Sequence, residues 1–247
     1  MKIVVIGGTG LIGSKLVTKL GEHGHEAVAA SPNTGVDTLT GKGLAEVMTG
    51  ASVVIDVSNS PSFEDAAVLE FFETSTRNLL AAEEAAGVKH HVALSVVGTE
   101  RRPDIGYFRA KVAQERLIKA SPIPFSIVHA TQFFEFAHRI ADGATVDGKV
   151  HMAPVRFRPI AGEEVARIVG RVSVGEPLNG PLEIAGPEES SMDGFFRTAL
   201  KAWNDPREVV TDPHAHYFGA ELTDDTLVPD DGATLGEITY ERWLAAS

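Results

Sequence analysis

The sequence predicts an α/β fold, a doubly wound parallel sheet followed by a small C-terminal α+β lobe. Three observations predict it. Short apolar runs such as "KIVVIG", "SVVIDVS" and "FSIVHA" read as strands buried on both faces. They alternate with amphipathic stretches of helical length, the pattern of parallel strands joined by crossover helices. Glycines crowd the first strand-to-helix joint, "IGGTGLIGSKL".

The elements follow in order. "KIVVIG" is a strand, and "LIGSKLVTKLGEHG" a helix that ends at Gly21 or Gly24. "EAVAAS" is the second strand, "GKGLAEVMTG" a short helix and "SVVIDVS" another strand. "EDAAVLEFFETSTRNLLAAEEAAG" is a long helix, "HHVALSVVG" a strand, "GYFRAKVAQERLIKA" a helix and "FSIVHA" a further strand. After about residue 131 the alternation breaks: "GKVHMAPVRFRPI", "EEVARIVGRVSVG" and "GPLEIAGPEE" mix strands, helices and Pro/Gly turns. Residues 1–130 are read as one domain and residues 131–247 as a smaller lobe packed on it, not independent of it. No internal repeat or low-complexity tract interrupts them.

A length of 247 residues with 43% hydrophobic composition suffices for a substantial core. A net charge of −12 repels phosphate backbones, so nucleic acid is not an expected partner. The chain has no cysteine, which excludes disulfides and thiolate metal sites. "MKIVVIGGTG" lacks the pattern of a signal peptide and no apolar run is long enough to cross a bilayer. A cytoplasmic protein acting on a small molecule, with no membrane association, is expected; the sequence sets no oligomeric state.

Gly7, Gly10 and Gly13, with Gly8 in addition, sit between the first strand and the first helix. In a doubly wound fold that is where a dinucleotide pyrophosphate meets a helix N-terminus. Gly7 would permit the tight turn, Gly10 the close approach of ligand to backbone, and Gly13 close packing of helix on strand. The spacing is G-x-x-G-x-x-G, and the alternative is a plain connecting loop. A Rossmann-type dinucleotide-binding domain is therefore expected over 1–130.

At the end of the second strand, "AASPNTG" offers no carboxylate to repel a ribose 2′-phosphate and no arginine to grip one. Ser31, Asn33 and Thr34 could donate to it, which favours NADP(H) over NAD(H); equally, they are common turn residues. "LSVVG" places Ser95 near the carboxyl end of a buried strand, the edge where ligands bind in such sheets. Tyr107 and Lys111 in "YFRAK" lie four apart at the start of a helix and share one face. Carbonyl reduction would use Tyr107 as the acid, a nearby Lys111 ammonium to favour its phenolate, and Ser95 to orient the substrate oxygen. The alternatives are that Tyr107 packs, that Lys111 pairs with Glu115 on a solvated face, and that Ser95 caps the strand.

Other signals are weaker. His90 and His91 read as loop residues before a strand, and Glu163 and Glu164 as carboxylates favoured at a helix start. His214 and His216 lack further ligands of matching spacing, so no metal is expected. Phe133, Phe134 and Phe136 follow a strand end, where they would wall a pocket beside the nicotinamide or pack between lobes. Met152 could join that pocket from across the cleft. Arg156 or Arg158, if turned inward, would favour an anionic substrate instead.

"GGTGLIG", "LSVVG" and "YFRAK" resemble the short-chain dehydrogenase/reductase superfamily. "RAKVAQERLI", "IPFSIVHATQFFEF" and "RPIAGEEVARIV" resemble its atypical, NmrA-like NAD(P)-binding branch, over nearly the whole chain. The resemblance implies that Thr9, Leu11 and Ile12 bind the cofactor with the glycines. It puts Asp37 near the adenine, and Val57, Ser58 and Asn59, after the fourth strand, near the adenosine ribose. It makes Lys111 the residue that holds the nicotinamide ribose. It also implies an NAD(P)-dependent oxidoreductase; the apolar faces of Phe133, Phe134 and Phe136 make a small apolar carbonyl or quinone-like compound the expected substrate. Some members of the branch sense the cofactor without turnover; an epimerase or dehydratase of sugar nucleotides is the third reading.

Overall fold

The computed structural model describes residues 1–246. The first half alternates regularly: β1 (Lys2–Ile6), α1 (Leu11–Glu22), β2 (Glu26–Ala30), α2 (Leu44–Met48), β3 (Val53–Asp56), α3 (Asp65–Ala86), β4 (His90–Val96), α4 (Gly106–Ala120) and β5 (Phe125–Ala130). The second half is made of shorter pieces. They are α5 (Ala137–Gly143), β6 (Thr145–Val146), β7 (Lys149–Met152), β8 (Arg156–Phe157), α6 (Gly162–Val174), β9 (Gly180–Ala185), β10 (Ser190–Ser191) and α7 (Met192–Ala202). The chain closes with β11 (Val209–Thr211), β12 (His216–Tyr217), β13 (Ala220–Glu221), β14 (Thr234–Leu235) and α8 (Tyr240–Ala246).

Seven strands form one sheet in the order β14-β9-β5-β4-β3-β1-β2. All six pairings within it are parallel. This is the expected Rossmann-type sheet, with helices on both faces. The strand leading into Val57–Asn59 is the third of the chain, not the fourth. β2 lies at the sheet edge and is only half buried, which explains its Ala-rich "EAVAA". No helix among the described residues is long and apolar enough to cross a membrane.

One face of the sheet is covered by α1 and α6. Ile12, Leu16 and Leu20 of α1 pack with Val165, Ile168 and Val169 of α6 and with Ile3 and Val5 of β1. Gly170 of α6 faces the same seam, where a Cβ would make ordinary contact with Leu16 Cδ2 at 3.6 Å. Each such side chain contributes about 1.5–3 kcal/mol by leaving water. Leu16→Ala at this fully buried seam would cost about 2–5 kcal/mol. Residues beyond 131 thus return to the first body, through α6 on its face and through β9 and β14 in its sheet. The remaining C-terminal pieces bury a second core around Phe134, Phe157, Phe195, Phe196 and Leu227.

His90 and His91 are not loop residues. They open β4 and are 3% and 0% exposed. His91 Nδ1 lies 2.9 Å from Glu83 Oε1, and His90 Nε2 lies 2.8 Å from Ser126 Oγ. Burial disfavours the His91 imidazolium, but the Glu83 carboxylate prevails and raises its pKa above the usual value. His90 has no such partner; burial and the neighbouring His91 push it down to about 4.

Candidate active site

The glycine loop leaves β1 at the carboxyl edge of the sheet. Gly7 has φ +76°, and a Cβ on it would stand 2.9 Å from Ser58 N, so the loop rests directly on the residues that follow β3. A Cβ on Gly8 would come within 2.6 Å of Ala29 Cα, and one on Gly13 would collide with Gly7 O. Gly10 is different: its nearest neighbour would be Gly7 O at 3.2 Å, and the residue is exposed. Thr9, Gly10 and Leu11 form the exposed rim, while Ile12 and Gly13 are buried in the helix seat. α1 has neither a side-chain cap nor an acidic residue in its first turn. A helix start left uncapped in this way suits a pyrophosphate. The residues present fit a dinucleotide.

At the end of β2, Ser31 and Thr34 are engaged with each other. Ser31 N donates to Thr34 Oγ1 at 2.9 Å, and Thr9 Oγ1 donates to Ser31 Oγ at 3.1 Å. Asn33 is exposed beside them. Asp37 accepts from Leu39 N at 2.8 Å and Thr40 N at 3.2 Å, and these N–H groups hold its carboxyl below the usual range. Its role within the chain is to close the loop ahead of α2.

Val57, Ser58 and Asn59 leave β3 beside the glycine loop. Asp56 Oδ1 accepts from Ser58 N at 2.9 Å and from Ser58 Oγ at 2.6 Å, fixing that turn. Tyr107, in the first turn of α4, donates its hydroxyl to Asn59 Oδ1 at 3.1 Å. A phenol therefore reaches the same edge as the glycine loop. Burial pushes the Tyr107 phenol above its ordinary range, so it is held in the protonated form.

One turn along α4, Lys111 is buried, and its ammonium donates to Leu94 O at 2.9 Å and to Gln114 Oε1. Gln114 Nε2 in turn donates to Asp56 Oδ2 at 2.9 Å. The ammonium also stands 4.3 Å from the centroid of the Phe72 ring, which meets Tyr107 edge-on at 6.0 Å. Burial lowers Lys111 to about 8, opposed by the Asp56 and Glu115 carboxylates. The expected depression of Tyr107 by the ammonium is absent: burial alone sets the phenol's shift. Nor is Lys111 paired with Glu115 on a solvated face; both residues are 2% exposed.

Ser95 departs from the expected geometry. Its hydroxyl donates to Glu115 Oε1 at 2.7 Å, and the same oxygen lies 2.9 Å from His129 Nε2. Burial opposes ionisation of Glu115, but His129, Ser95 and Lys119 hold it down at about 2. Ser95 is thus tied into a buried polar cluster between β4 and α4. The strand end could be read from sequence; the direction of the side chain could not.

The aromatic run after β5 divides. Phe134 is 3% exposed in the second core, with Phe195, Tyr240 and Trp243 around it. Met152 is 2% exposed in the same core. Phe133 and Phe136 stack on each other at 5.4 Å, and Phe136 is exposed. Arg156 pairs with Glu189 at 2.8 Å, and Arg158 donates to Gly186 O and Pro187 O, so neither is a free cation.

Sequence reasoning missed the rings that do surround Tyr107. Phe63, ahead of α3, lies 5.6 Å from it, and Phe218, at the tip of the β12–β13 hairpin, stacks on it at 6.1 Å with an interplanar angle of 17°. Phe63 and Phe218 are 5.4 Å apart. The one local signal was Phe-Gly between two short alternating runs, where a hairpin turn ordinarily has Asn-Gly.

A parallel sheet with a glycine loop at its carboxyl edge and a Tyr/Lys helix beside it suits a protein that binds a nicotinamide dinucleotide. Residues 7–169 match the profile of the NAD(P)H-binding family, and the chain belongs to that family. It is 27% identical over 212 residues to a (4-alkanoyl-5-oxo-2,5-dihydrofuran-3-yl)methyl phosphate reductase of Streptomyces griseus, covering 76% of this chain and 71% of that one. It is 26% identical over 165 residues to the photosystem II assembly factor Ycf39 of Cyanophora paradoxa. That match covers 59% of this chain and spans about half, 51%, of the relative. In fold it is similar to a short-chain dehydrogenase/reductase superfamily protein of Agrobacterium tumefaciens with bound NAD. The TM-score is 0.74 at 18% identity, over 100% of this chain and 95% of that one.

Proposed function

We propose that this protein is an NADPH-preferring oxidoreductase that reduces a small, apolar carbonyl or quinone-like compound, with Tyr107 as the proton donor. The observation that carries this reading is the hydrogen bond from Tyr107 to Asn59, which brings a protonated phenol to the edge where the glycine loop lies. The Streptomyces griseus relative, named as a reductase of a dihydrofuran methyl phosphate, supports reduction as the reaction class. NADPH, when bound, supplies the hydride. Tyr107 gives its hydroxyl proton to the carbonyl oxygen as that oxygen takes up the π-electron pair, and the alcohol leaves while Tyr107 regains a proton from water. Lys111, one turn along α4, is a positioning residue: its buried ammonium ties the start of α4 to β4 through Leu94 O and Gln114, behind Phe72 and Tyr107. The preference for NADPH rests on the absence of a carboxylate among Ser31, Pro32, Asn33 and Thr34 and on the exposed Asn33 amide.

The test is oxidation of NADPH by purified protein against a panel of quinones and aldehydes, with NADH alongside. Turnover with NADPH that Tyr107→Phe removes supports the reading. Tight NADPH binding with no turnover on any member of the panel would leave a cofactor sensor in its place.

A further inference from the structure

The β12–β13 hairpin carries an anomaly at its tip. His216 pairs with Glu221 and Tyr217 with Ala220, leaving Phe218 and Gly219 as a two-residue turn. Both have positive φ, +48° for Phe218 and +84° for Gly219. Two left-handed residues in succession suit Asn-Gly; a bulky aromatic at the first position is strained. The same residue is 48% exposed, so about half of it stays open beside Tyr107. Strain kept at a half-exposed aromatic that stacks on Tyr107 points to use of that ring.

The hairpin is aimed at the reaction site, and its base is anchored there. Arg102, in the loop between β4 and α4, donates to Glu221 O. Arg101 donates to Val228 O at 2.8 Å and to Asp230 Oδ1 at 2.7 Å. Gly98 of the same loop, with φ +80°, would collide with Thr226 O if it had a Cβ. From this fixed base the tip lays Phe218 over the Tyr107 ring and against Phe63. Tyr217, edge-on to Phe218 at 4.8 Å, brings a second phenol toward Tyr107 and the side chain of Gln132 at the end of β5. Gln132 Oε1 and Thr131 Oγ1 there are buried with no hydrogen-bond partner among the described residues. Unsatisfied polar atoms at a sheet's carboxyl edge suit a ligand carrying oxygen or nitrogen.

We infer that the hairpin tip is part of the substrate site: Phe218, with Phe63, forms the apolar wall for a flat, conjugated carbonyl compound at Tyr107, and Tyr217 beside Gln132 is the hydrogen-bond donor that orients the substrate oxygen. This inference rests on the oxidoreductase reading and specifies its substrate class. It gives the orienting role to a hydroxyl that, unlike that of Ser95, is not committed to a carboxylate. Burial, and then the neighbouring Tyr107, push the Tyr217 phenol above its ordinary range, which keeps it a donor.

The test uses full-length protein with NADPH, and menadione and propanal as probes. Phe218→Asn places the residue best suited to this turn at the tip, so the thermal midpoint should hold or rise. KM for menadione should rise about tenfold while that for propanal changes less than about twofold. Tyr217→Phe keeps the ring and should lower kcat for menadione about a hundredfold, the worth of a donor to a developing oxyanion, with the Kd for NADPH unchanged. If wild type reduces menadione and both variants match it in KM and kcat, the hairpin is outside the site and the inference is wrong, while the oxidoreductase reading stands. Variants that lose only thermal stability overturn the inference in the same way. If wild type reduces neither these probes nor any quinone or aldehyde of the panel, the oxidoreductase reading fails, and the inference with it.

Discussion

Ser95 and Glu115 are hydrogen-bonded at 2.7 Å in the interior, with His129 on the same carboxylate oxygen. A hydroxyl so placed supports the packing of β4 on α4. Ser95→Ala would leave a buried carboxylate short of a donor, at a cost of about 1–3 kcal/mol. The expected result is a lower denaturation midpoint in urea, with kcat for a reducible carbonyl within about threefold of wild type. A large loss of kcat at unchanged stability would return Ser95 to the substrate.

Tyr107 carries the opposite expectation. Tyr107→Phe removes the bond to Asn59, which is exposed and can turn to water, so stability should change little. Turnover should fall by roughly two to four powers of ten, the usual worth of a general acid, with NADPH affinity preserved. Steady-state kinetics beside a fluorescence titration of NADPH checks both halves.

On the proposed function, the pH dependence of turnover follows Lys111. Its ammonium is present below about 8 and is lost above it, because burial lowers it from the ordinary 10.5. Turnover should therefore decline as pH rises through about 8. The sign for stability is opposite. Between about 8 and 10.5 the unfolded chain still holds the proton that the folded chain has released, so this group favours folding increasingly as pH rises. Gln114→Leu removes one acceptor from the ammonium, and the alkaline limb should move to lower pH by about one unit, the equivalent of a charge-assisted hydrogen bond.

Much of the fold was legible because its signals are local. The apolar runs of β1, β3 and β5 need no partner to be recognised, and the glycine loop lies within one strand-to-helix joint. The errors lie where the deciding partner is remote. His90 and His91 look like loop residues until Ser126 and Glu83 are brought against them. Ser95 lies at the expected strand end, but which layer it faces depends on Glu115 in the following helix. Phe134 and Met152 read as pocket residues until α7 and α8 cover them. The hairpin that meets Tyr107 comes about 110 residues after it, and no periodicity links the two.

The glycine loop separates ligand contact from folding within four residues. Gly10 is exposed, its added Cβ would meet only Gly7 O at 3.2 Å, and its φ of −83° is open to any residue. Gly10→Val should fold, with a thermal midpoint near that of wild type. Its branched side chain would stand where the pyrophosphate meets the first turn of α1, so Kd for NADPH should rise by at least about a hundredfold, or about 2.7 kcal/mol. Gly13 is buried, and a Cβ there would strike the carbonyl of Gly7, so Gly13→Ala must push helix from strand. That variant should lose both stability and NADPH binding. Differential scanning calorimetry with and without NADPH distinguishes the two: wild type gains stability on adding cofactor, folded Gly10→Val does not, and Gly13→Ala starts from a lower midpoint. Equal NADPH affinity in folded Gly10→Val and wild type would move the pyrophosphate site away from this loop.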